Sequence, residues 1–552
     1  METPLDFIYA HEKKHPDSVW LTQPMGDGTV RDFTWKQALD ESRKMAAHLV
    51  SLDLPKSSQI ALFAKNNAWW ILADIAIWMA GHVTVPLYPT LAVDTIKQIL
   101  EHSESRLIFI GKLDGFENME PGIPSSLPRV AMPLAPANVD RAEKWVDIVA
   151  KTKPIDGNPQ RDPDDLATII YTSGSTGMAK GVMHSFKTMA AVDVVNHLVK
   201  VDETDRMLSY LPLAHAMERA VVEVISMNTG ARIYFAESLD TFVNDLKRAR
   251  PTVFISVPRL WNRFQQGVFT KMPPEKLSRL LKIPIVRGFV RRKILKGLGL
   301  DSVRYAISGS APISADLLNW YRSLGLELLE GYGMSENFCI SHGTRPGQVR
   351  VGYVGPPQEG CEQKIADDGE ILVKSPATML GYFKEKAMTD AAIDKEGFLH
   401  TGDRGELDEL GRLKITGRVK EIFKTSKGKY VAPSPIENEL MLHNDVEQAL
   451  VAGESMPQPF GMVVLSDAAR NKAKEAPFRD ELSRTLNAHL EKTNARLSAH
   501  EQLEKIVVVR EAWTIENGAL TPTMKVKRTT IEKRYADKVP GWYAEKPRVV
   551  WE

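Results

Sequence analysis

The chain carries the stretch YTSGSTGMAKG at positions 171–181, directly after the apolar run LATII at 166–170. The run has the length and composition of a buried β-strand. The stretch that follows holds three glycines, four Ser or Thr hydroxyls and one lysine, Lys180, with no acid. Glycines let an anion approach backbone N–H groups closely, and the hydroxyls and the lysine add donors and positive charge. The pattern predicts a phosphate-binding loop at the end of a strand.

This loop differs from the common P-loop, since Lys180 is followed by Gly181 rather than by Ser or Thr, and the glycine spacing also differs. The alternative interpretation is a flexible Gly/Ser surface loop. A flexible linker seldom follows a buried strand and ends on a lone lysine, so the phosphate-binding interpretation is favoured.

Length and composition bound the class of protein. A chain of 552 residues is expected to form two to four units, and 43% apolar with 26% charged residues is typical of soluble globular proteins. The formal net charge of +1 gives no global preference for nucleic acid or an anionic membrane. The two cysteines, Cys339 and Cys361, form neither a disulfide framework nor a metal site, which fits a reducing compartment.

Two segments bear on targeting. The first seventeen residues lack the apolar core and small-residue cleavage site of a signal peptide. The most apolar run, at 68–80, is too short to span a bilayer and is interrupted by Asp74. It is predicted to be a buried core helix.

Strands and helices alternate in the first part of the chain. A helix is predicted over 34–52, with Thr34 and Gln37 forming a capping box. Strands at 60–63, 83–87 and 106–110 alternate with helices at 69–79 and 93–101. This alternation predicts a parallel sheet with crossover helices. Residues 113–164 are predicted to form a loose connection, and one helix is predicted over 185–200.

Further small-residue turns follow predicted strands. The strand at 303–307 runs into SGSAP, and the strand at 326–329 runs into EGYGMSE at 330–336. Such turns suit close backbone approach to a flat ligand; Tyr332 could stack on a heterocycle, and Glu336 could hold Mg²⁺. The alternative is ordinary tight turns with an exposed acid. His215 follows another strand, either as a packed residue or as part of a pocket wall.

The C-terminal third has a different texture. Short strands after about residue 350 predict antiparallel structure, and Asp403 could bind a ribose diol or form an Asx-type turn. Beyond Arg418 the pattern predicts a small α+β unit. It has a hairpin around Lys427–Gly428 and a helix capped by Ser434, with Pro435 at its first position and Glu437 completing a capping box. By itself, Lys525 lies in a basic loop of the kind that is usually solvated.

One segment has a strong charge bias. Eight Lys or Arg residues occur between positions 276 and 296 without an intervening acid, among Leu, Ile, Val and Phe. The segment is either a solvated basic helix face or a patch that meets anionic lipid headgroups or fatty acids.

Seven blocks, in this order, carry a resemblance to a known family: TSGSTGMAKG, LPLAHAMER, GSAPIS, GYGMSE, HTGD, ITGRVKEIFKTSKGKYVAP and TPTMKVKR. With them the chain resembles the adenylate-forming (AMP-binding) superfamily over roughly residues 30–535. The segments PLYPT, RPTVFISVPRLW and KEIFKTSKGKYVAPSPIE make it most similar to the long-chain fatty acyl-CoA synthetases.

The resemblance implies an α/β fold. A large N-terminal domain, 1–419, would hold parallel and mixed sheets with crossover helices and a β-rich subdomain at about 350–419. A small, mobile α+β C-terminal domain, 420–552, would follow, with its hinge at Lys420.

The resemblance also implies roles for individual residues. Lys525 would bridge the substrate carboxylate and the α-phosphate, Ser335 would contact that phosphate, Glu336 would hold Mg²⁺, and His215 would line the substrate pocket. The nucleotide and CoA would be bound by Thr172, Ser173, Gly174, Ser175, Thr176, Gly177, Lys180, Gly309, Ser310, Ala311, Glu330, Gly331, Tyr332, Gly333, Met334, Asp403, Arg418 and Gly428.

The implied function is an ATP-dependent acid–thiol ligase. It would activate a fatty acid as an acyl-adenylate, release pyrophosphate and transfer the acyl group to CoA, with ATP, Mg²⁺ and CoA as cofactor and co-substrates. The alternatives are an acyl-AMP ligase that loads a carrier protein, an aryl-acid CoA ligase, and a catalytically dead nucleotide-binding scaffold. Expected partners are fatty acid and CoA, without nucleic acid. The expected location is cytoplasmic, with or without peripheral membrane contact through 276–296, and the protein would be a monomer or a homodimer.

Overall fold

The computed structural model describes residues 2–173, 179–311, 313–521 and 524–552, without the side chains of Ser173 and His197. Residues up to 200 contain α1 (Pro4–Lys14), β1 (Val19–Pro24), β2 (Val30–Thr34), α2 (Trp35–Ser51), β3 (Gln59–Phe63), α3 (Ala68–Met79), β4 (Val83–Leu87), α4 (Val93–Ser103), β5 (Leu107–Ile110), β6 (Arg129–Ala131), β7 (Ala142–Lys144), α5 (Trp145–Lys151), β8 (Leu166–Ser173), β9 (Ala179–Ser185), α6 (Phe186–Ala190) and α7 (Asp193–Val199).

The middle of the chain contains β10 (Arg206–Ser209), α8 (Ala216–Glu218), α9 (Ile225–Thr229), β11 (Arg232–Phe235), α10 (Phe242–Ala249), β12 (Val253–Ser256), α11 (Pro258–Lys271), α12 (Pro274–Lys282), α13 (Pro284–Leu298), β13 (Tyr305–Ser308), α14 (Ala315–Ser323), β14 (Leu328–Tyr332) and β15 (His342–Gly343). The rest contains β16 (Glu362–Ile365), β17 (Glu370–Lys374), β18 (Gly381–Tyr382), α15 (Lys386–Ala392), β19 (Leu399–Leu407), β20 (Leu413–Arg418), β21 (Phe423–Lys424), β22 (Tyr430–Val431), α16 (Pro433–Leu440), β23 (Val446–Ala452), β24 (Phe460–Leu465), α17 (Asp467–Lys472), α18 (Ala476–Asn494), β25 (Ile506–Val508), α19 (Arg528–Tyr535), α20 (Val539–Ala544) and β26 (Val549–Trp551).

The largest sheet has eight strands in the order β18-β9-β8-β4-β3-β5-β6-β7. Strands β3 to β8 run parallel to their neighbours, whereas β9 is antiparallel to β8 and β18 is antiparallel to β9. The predicted β-α-β alternation is therefore confirmed. So is the capping box of α2, in which the backbone N–H groups of Thr34 and Gln37 each donate to the other's side chain, at 3.0 and 3.3 Å. Every residue of α3 is buried, as predicted.

Two predictions for this region were wrong. Residues 113–164 are more than a loose connection, because they add β6, β7 and α5 to the sheet and its flank; the strands have only three residues each, too few for a visible pattern. The single helix over 185–200 is instead two short helices after a strand. Ser185 ends β9 and caps α6, and the chain turns at Ala191 and Val192, both buried in the core.

Two further sheets complete the first 350 residues. One has the order β10-β11-β1-β2, and the other has the order β12-β13-β14-β15. Strands β12, β13 and β14 are parallel, so the turns after β13 and β14 meet at one edge. Open α/β sheets bind ligands at this carboxyl edge.

The predicted antiparallel structure after residue 350 is confirmed, as the sheet β16-β17-β19-β20. The last part has a four-stranded sheet, β23-β24-β25-β26, and the predicted hairpin is β21–β22. The predicted cap of the following helix was wrong. Helix α16 begins at Pro433 without a side-chain cap, because the Ser434 hydroxyl donates to Glu421 and Glu437 accepts from the backbone N–H of Val451.

A buried ion cluster lies beneath β8. Arg219 begins a π-helical turn, Arg219–Val224, and is wholly buried. Its guanidinium donates to Glu223 Oε2 at 3.1 Å and Thr168 Oγ1 at 2.6 Å and also pairs with Asp74. Burial raises the pKa of both Asp74 and Glu223. The Asp74 that interrupts the apolar helix therefore anchors an arginine against the strand that leads into the phosphate loop.

Ion pairs join the C-terminal part of the chain to the rest. Glu447 pairs with Arg259 and lies 3.6 Å from Arg263, and Asp316 lies 3.5 Å from Arg496. These contacts join α11 to β23 and α14 to the residues that follow α18. Among the described residues, no helix combines the length and apolarity needed to cross a lipid bilayer.

Candidate active site

The candidate site lies where β9 and β18 of the large sheet meet the turn after β14. The Tyr382 hydroxyl, on β18, donates to Glu336 Oε1 at 2.8 Å. The ammonium of Lys180, on β9, lies 5.2 Å from the centre of the Tyr382 ring. Tyr382 thus joins the lysine that ends the predicted phosphate loop to the acid predicted to hold Mg²⁺. Thr172 pairs with Lys180 across β8 and β9, so it also faces this region.

A buried histidine fixes the turn that carries Ser335 and Glu336. His184 Nε2 donates to the backbone carbonyl of Ser335 at 2.7 Å. Burial lowers the pKa of His184 to about 4, so the ring is neutral near pH 7. A neutral histidine holds the backbone of the turn without placing a charge beside the site.

The same turn is sharply folded. Phe338 and Cys339 both have positive φ, 45° and 62°, a conformation that side-chain-bearing residues rarely adopt. A Cβ on Gly333 would lie 2.5–2.6 Å from backbone atoms of Cys339. Gly333 is therefore required sterically, because the chain folds back onto it.

Asp403 is held by two partners. It accepts a hydrogen bond from the Tyr332 hydroxyl at 2.8 Å on Oδ2 and one from Arg418 Nε at 2.9 Å on Oδ1. Its own N–H donates to Thr401 Oγ1 at 3.1 Å. The structure thus brings three of the predicted nucleotide-binding residues, Tyr332, Asp403 and Arg418, into one connected group.

The ends of β13 and β14 hold two buried polar atoms without a hydrogen-bond partner among the described residues, Ser308 Oγ and Glu330 Oε2. The two residues are directly paired across the strands. Burial raises the pKa of Glu330 to about 8. Next to them, a Cβ on Gly309 would lie 3.4 Å from the Gly331 carbonyl oxygen, and Ser310 has φ of 67°. Unsatisfied polar atoms beside close-packed backbone fit a flat polar ligand at this edge. Ala311 and Gly331 lie in the same two turns.

Lys525 reaches this group from the C-terminal domain. Although its side chain is accessible to solvent, nearby protein atoms desolvate the ammonium and lower the pKa of Lys525, and Arg418 lowers it further. Asp403 and Glu336 act in the opposite direction. Lys525 therefore lies within electrostatic range of residues on three other elements. Two neighbouring cations with a lowered lysine pKa mark a place where an anion would bind favourably.

His215 lies at the start of α8. It is half-buried, and Nδ1 accepts a hydrogen bond from the Met217 N–H at 3.1 Å. Burial and the charge of Lys525 lower the pKa of His215 to about 4. The ring makes an edge contact with Tyr88, 6.4 Å between centres. Buried Asn66 fixes the preceding turn through the Leu211 carbonyl and the Leu213 N–H. His215 is thus a neutral wall residue near the lysine.

Several predicted residues lie outside this group. Gly174, Ser175, Thr176 and Gly177 fall outside the described residues, as does the side chain of Ser173. Gly428 is at the tip of the β21–β22 hairpin, with φ of 75°, and the hairpin bonds to Ser455 and Met456. No described contact joins Gly428 to Glu336. Lys420 lies in a single 3₁₀ turn between β20 and the hairpin.

The sequence interpretation missed Tyr382 and His184. Tyr382 follows Gly381, and a Cβ there would meet Thr389 at 2.7 Å, so a conspicuous glycine was the available signal. His184 stands in an alternating strand pattern and gives no signal, since its partner is a backbone carbonyl far away in sequence.

The residues present fit Mg²⁺ and a nucleotide. Within the described residues, no cluster of three or more His, Cys, Asp or Glu could hold a metal alone. Mg²⁺ is commonly held by one or two carboxylates together with substrate phosphates, however, and Glu336 supplies one carboxylate beside Lys180. The orphaned atoms of Ser308 and Glu330 and the paired carboxylate of Asp403 supply polar groups for a base and a sugar.

Comparison with known proteins gives matches over nearly the whole chain. A family model described as "AMP-binding enzyme" matches residues 8–383, and one described as "AMP-binding enzyme C-terminal domain" matches residues 420–547. The chain is 32% identical to long chain acyl-CoA synthetase 6, peroxisomal, of Arabidopsis thaliana, covering 94% of this chain and 83% of that protein. It is 30% identical to the long-chain-fatty-acid–CoA ligase FadD15 of Mycobacterium tuberculosis, covering 97% and 96%.

Solved structures share the fold. The adenylation domain of a carboxylate reductase from Mycobacterium chelonae superposes with a TM-score of 0.81 at 22% identity, covering 99% of this chain and 91% of that one. The anthranilate CoA ligase AuaEII, in complex with anthranoyl-AMP, superposes with a TM-score of 0.77 at 20% identity, covering 98% of each chain. The α/β architecture with a large N-terminal and a smaller C-terminal domain is thereby confirmed.

Proposed function

The chain belongs to the AMP-binding enzyme family, and from this premise we propose that it is an ATP-dependent fatty acyl-CoA synthetase. It activates a fatty acid as an acyl-adenylate with release of pyrophosphate and then transfers the acyl group to CoA. The observation that carries the proposal is the convergence of Lys525 with Glu336, Asp403 and Arg418 at the carboxyl edge of β13 and β14.

The first half-reaction needs positive charge. A carboxylate is a poor electrophile, because its leaving group would be oxide. Attack of its oxygen on the α-phosphate of ATP breaks the bond to pyrophosphate and makes AMP the later leaving group. Two anions meet in this step, so groups that bind the developing negative charge lower the barrier. Lys525 is the mobile cation in this proposal, and Lys180 is the fixed one.

We assign the other residues by their places around this step. Thr172 to Lys180 bind the β- and γ-phosphates, and Ser335 and Met334 lie along the α-phosphate. Glu336 would hold Mg²⁺, which supplies charge neutralisation on the phosphates. The ribose hydroxyls bind Asp403, which Tyr332 and Arg418 hold in place. The adenine lies on Tyr332 between the turns Gly309–Ala311 and Glu330–Gly333, and His215 lines the fatty-acid pocket.

The second half-reaction uses a thiolate that attacks the acyl carbonyl and expels AMP. No protein side chain has to act as a covalent nucleophile. We propose that the chain divides at Lys420 into a large domain, 1–419, with a β-rich subdomain at about 350–419, and a small one, 420–552. Rotation at Lys420 would withdraw Lys525 and bring Gly428 of the hairpin toward the thiol of CoA.

Replacing Lys420 by proline tests this rotation. Proline fixes φ near −65°, close to 3₁₀ geometry, so the present arrangement and adenylation survive while the rotated arrangement is blocked. We expect pyrophosphate release in single turnover to stay near the wild-type rate and acyl-CoA formation to fall by at least about tenfold. Lys420→Ala, which removes only the side chain, is the control and should retain both steps. Equal loss of both steps in Lys420→Pro would contradict the hinge.

The choice of substrate rests on the relatives. Several are named long-chain acyl-CoA synthetases or ligases, at 30–32% identity over most of both chains. This favours a fatty acid over an aryl acid, and CoA over a carrier protein. The intact group around Lys525 argues against a catalytically dead scaffold.

The decisive experiment measures pyrophosphate release with ATP and Mg²⁺ for straight-chain acids from acetate to stearate and for benzoate, with and without CoA. We expect turnover to acyl-CoA with a medium- or long-chain acid only. Adenylate formation without CoA turnover would identify a carrier-protein enzyme instead, and a preference for benzoate would identify an aryl-acid ligase. No pyrophosphate with any acid would refute the ligase.

The proposed substrate bears on where the protein works. Since long-chain acids partition into lipid bilayers, we propose that the protein works in the cytoplasm and touches membranes peripherally through residues 276–296. It acts on fatty acid and CoA, without nucleic acid as a partner. A monomer and a homodimer both remain compatible with the proposed chemistry.

A further inference from the structure

Helices α12 and α13 carry an unusual concentration of uncompensated charge. Eight Lys or Arg side chains lie between positions 276 and 296, whereas the net charge of the whole chain is only +1. In the part of the chain that the structure describes, none of the eight has a carboxylate within ion-pair distance. The nearby ion pairs use Arg259, Arg263 and Arg322 instead. The rest of the chain is net negative, so the protein presents one strongly cationic face.

Large apolar side chains are exposed within the same face. Ile283, the single residue between the two helices, is 47% exposed, and Ile285 and Phe289 on α13 are 91% and 68% exposed. Both helices begin with proline, at Pro274 and Pro284, so the connection is short and defined. An exposed aromatic and two exposed isoleucines at one helical corner have no role in a merely solvated basic surface.

The apolar and cationic side chains share one stripe of α13. Ile285, Phe289, Arg292 and Lys296 follow each other at spacings of four, three and four residues, which places them on one side of a helix. Val290 is buried, and Leu295 and Leu298 pack against the core, so the opposite side faces the protein. The outward stripe is apolar over its first two turns and cationic over its last two.

A groove of about 450 Å³ lies on the other side of α13, where Arg287 and Arg291 line it together with residues of α11, α12 and α14. Phe269, Leu277, Leu281 and Trp320 give it an apolar lining, to which Lys282, Arg287 and Arg291 add cationic groups.

We propose that α12 and α13 dock this protein on an anionic lipid bilayer. Ile283, Ile285 and Phe289 enter the interface between headgroups and chains, and Arg292, Lys293 and Lys296 bind the headgroups. A nucleic acid would satisfy the cations but would leave Ile285 exposed to water, so the aliphatic corner favours a bilayer. The inference rests on the proposed function and deepens it, because the enzyme would take up the fatty acid at the bilayer in which that acid is dissolved.

The test is co-flotation of the full-length protein with vesicles, which needs no enzymatic activity. We expect binding to phosphatidylcholine vesicles that contain about one third phosphatidylglycerol, weak binding to pure phosphatidylcholine, and weakening by salt. Arg292→Glu/Lys296→Glu and, separately, Ile285→Ser/Phe289→Ser should each lower the partition coefficient by at least about tenfold.

The matched controls make the same kinds of substitution on other surfaces of the protein. Lys36→Glu/Lys56→Glu alters two exposed lysines on another surface, and Leu239→Ser/Leu410→Ser alters two leucines that are 91% and 73% exposed. Both controls should bind vesicles as the wild type does. Absence of wild-type binding, or binding that neither test variant weakens, overturns the proposal. A protein that prefers nucleic acid to vesicles would also overturn it. The same holds if Arg292→Glu/Lys296→Glu loses vesicle binding while Ile285→Ser/Phe289→Ser keeps it in full.

Adenylation of a soluble medium-chain acid, measured without vesicles, separates this proposal from the ligase. The surface variants should keep wild-type rates there, because none of the changed residues lies in the candidate active site. Vesicle binding in a protein without pyrophosphate release would refute the ligase and leave the docking surface standing.

Discussion

Lys525→Ala is expected to lower the rate of adenylate formation by about 10²–10³, the usual effect of removing one group that stabilises transition-state charge. The reason is the meeting of two anions, the carboxylate and the α-phosphate, at a place where Lys525 and Arg418 supply the nearby positive charge. The loss should appear in pyrophosphate release measured in a single turnover. The overall rate of acyl-CoA formation should fall with it.

Two comparisons make this prediction specific. Lys527→Ala removes an exposed lysine two residues away in the same loop and should retain the wild-type rate. With purified acyl-adenylate as substrate, Lys525→Ala should form acyl-CoA at nearly the wild-type rate, because the two anions no longer have to approach each other. A loss of only two- or threefold in the first step would contradict the assigned role.

Arg219→Met is expected to destabilise the fold by about 3–5 kcal/mol, the usual cost of leaving buried charge without its partner. The variant would keep Asp74 and Glu223 side by side in a wholly buried place, with the Thr168 hydroxyl deprived of its donor. Total stabilities are commonly about 5–15 kcal/mol, so this loss is large. Urea denaturation, followed by intrinsic tryptophan fluorescence, measures it.

Glu223→Gln is the matched variant. Burial, and next the charge of Asp74, raise the pKa of Glu223 well above that of a free glutamate. The amide has nearly the same shape and keeps an oxygen that accepts from Arg219. We expect a change below about 1 kcal/mol. Because the pKa of Glu223 is higher in the folded than in the unfolded state, its contribution to the free energy of unfolding is fully present below the unfolded-state pKa. This contribution is lost as the pH rises through the folded-state pKa. Glu223→Gln should remove the part of this pH dependence that Glu223 contributes, and a cost equal to that of Arg219→Met would contradict this interpretation of the cluster.

Local signals in the sequence were sufficient for much of the fold. The capping box of α2, the apolar helix α3 and the alternation of β3, β4 and β5 depend on residues close together in the chain, and all three are confirmed. The same holds for the hairpin around Gly428. Where local signals are short, prediction was wrong. Strands β6 and β7 have three residues each, and the cap expected at Ser434 was displaced because Glu421 and Val451 offered other partners.

The sequence by itself determined the types of chemistry present. Composition alone indicates three classes of ligand. They are phosphate at the glycine-rich stretch with one lysine, a flat ligand at the two small-residue turns that follow strands, and Mg²⁺ at the acid beyond Tyr332. Seven motifs in a fixed order indicated the family. Composition could not show that Tyr382 joins Lys180 to Glu336, or that His184 holds the Ser335 carbonyl.

Those contacts were decided by the tertiary structure, since their partners lie far apart in the chain and meet only after the sheets pack. Lys525 is the clearest case, because a basic loop is ordinarily solvated. Its altered pKa arises only because the C-terminal domain, held by Glu447 and Asp316, places it beside Arg418 and Asp403. The sequence fixes which ionisable group stands at each position, whereas its pKa, and with it the charge it carries, depends on the groups that surround it after folding.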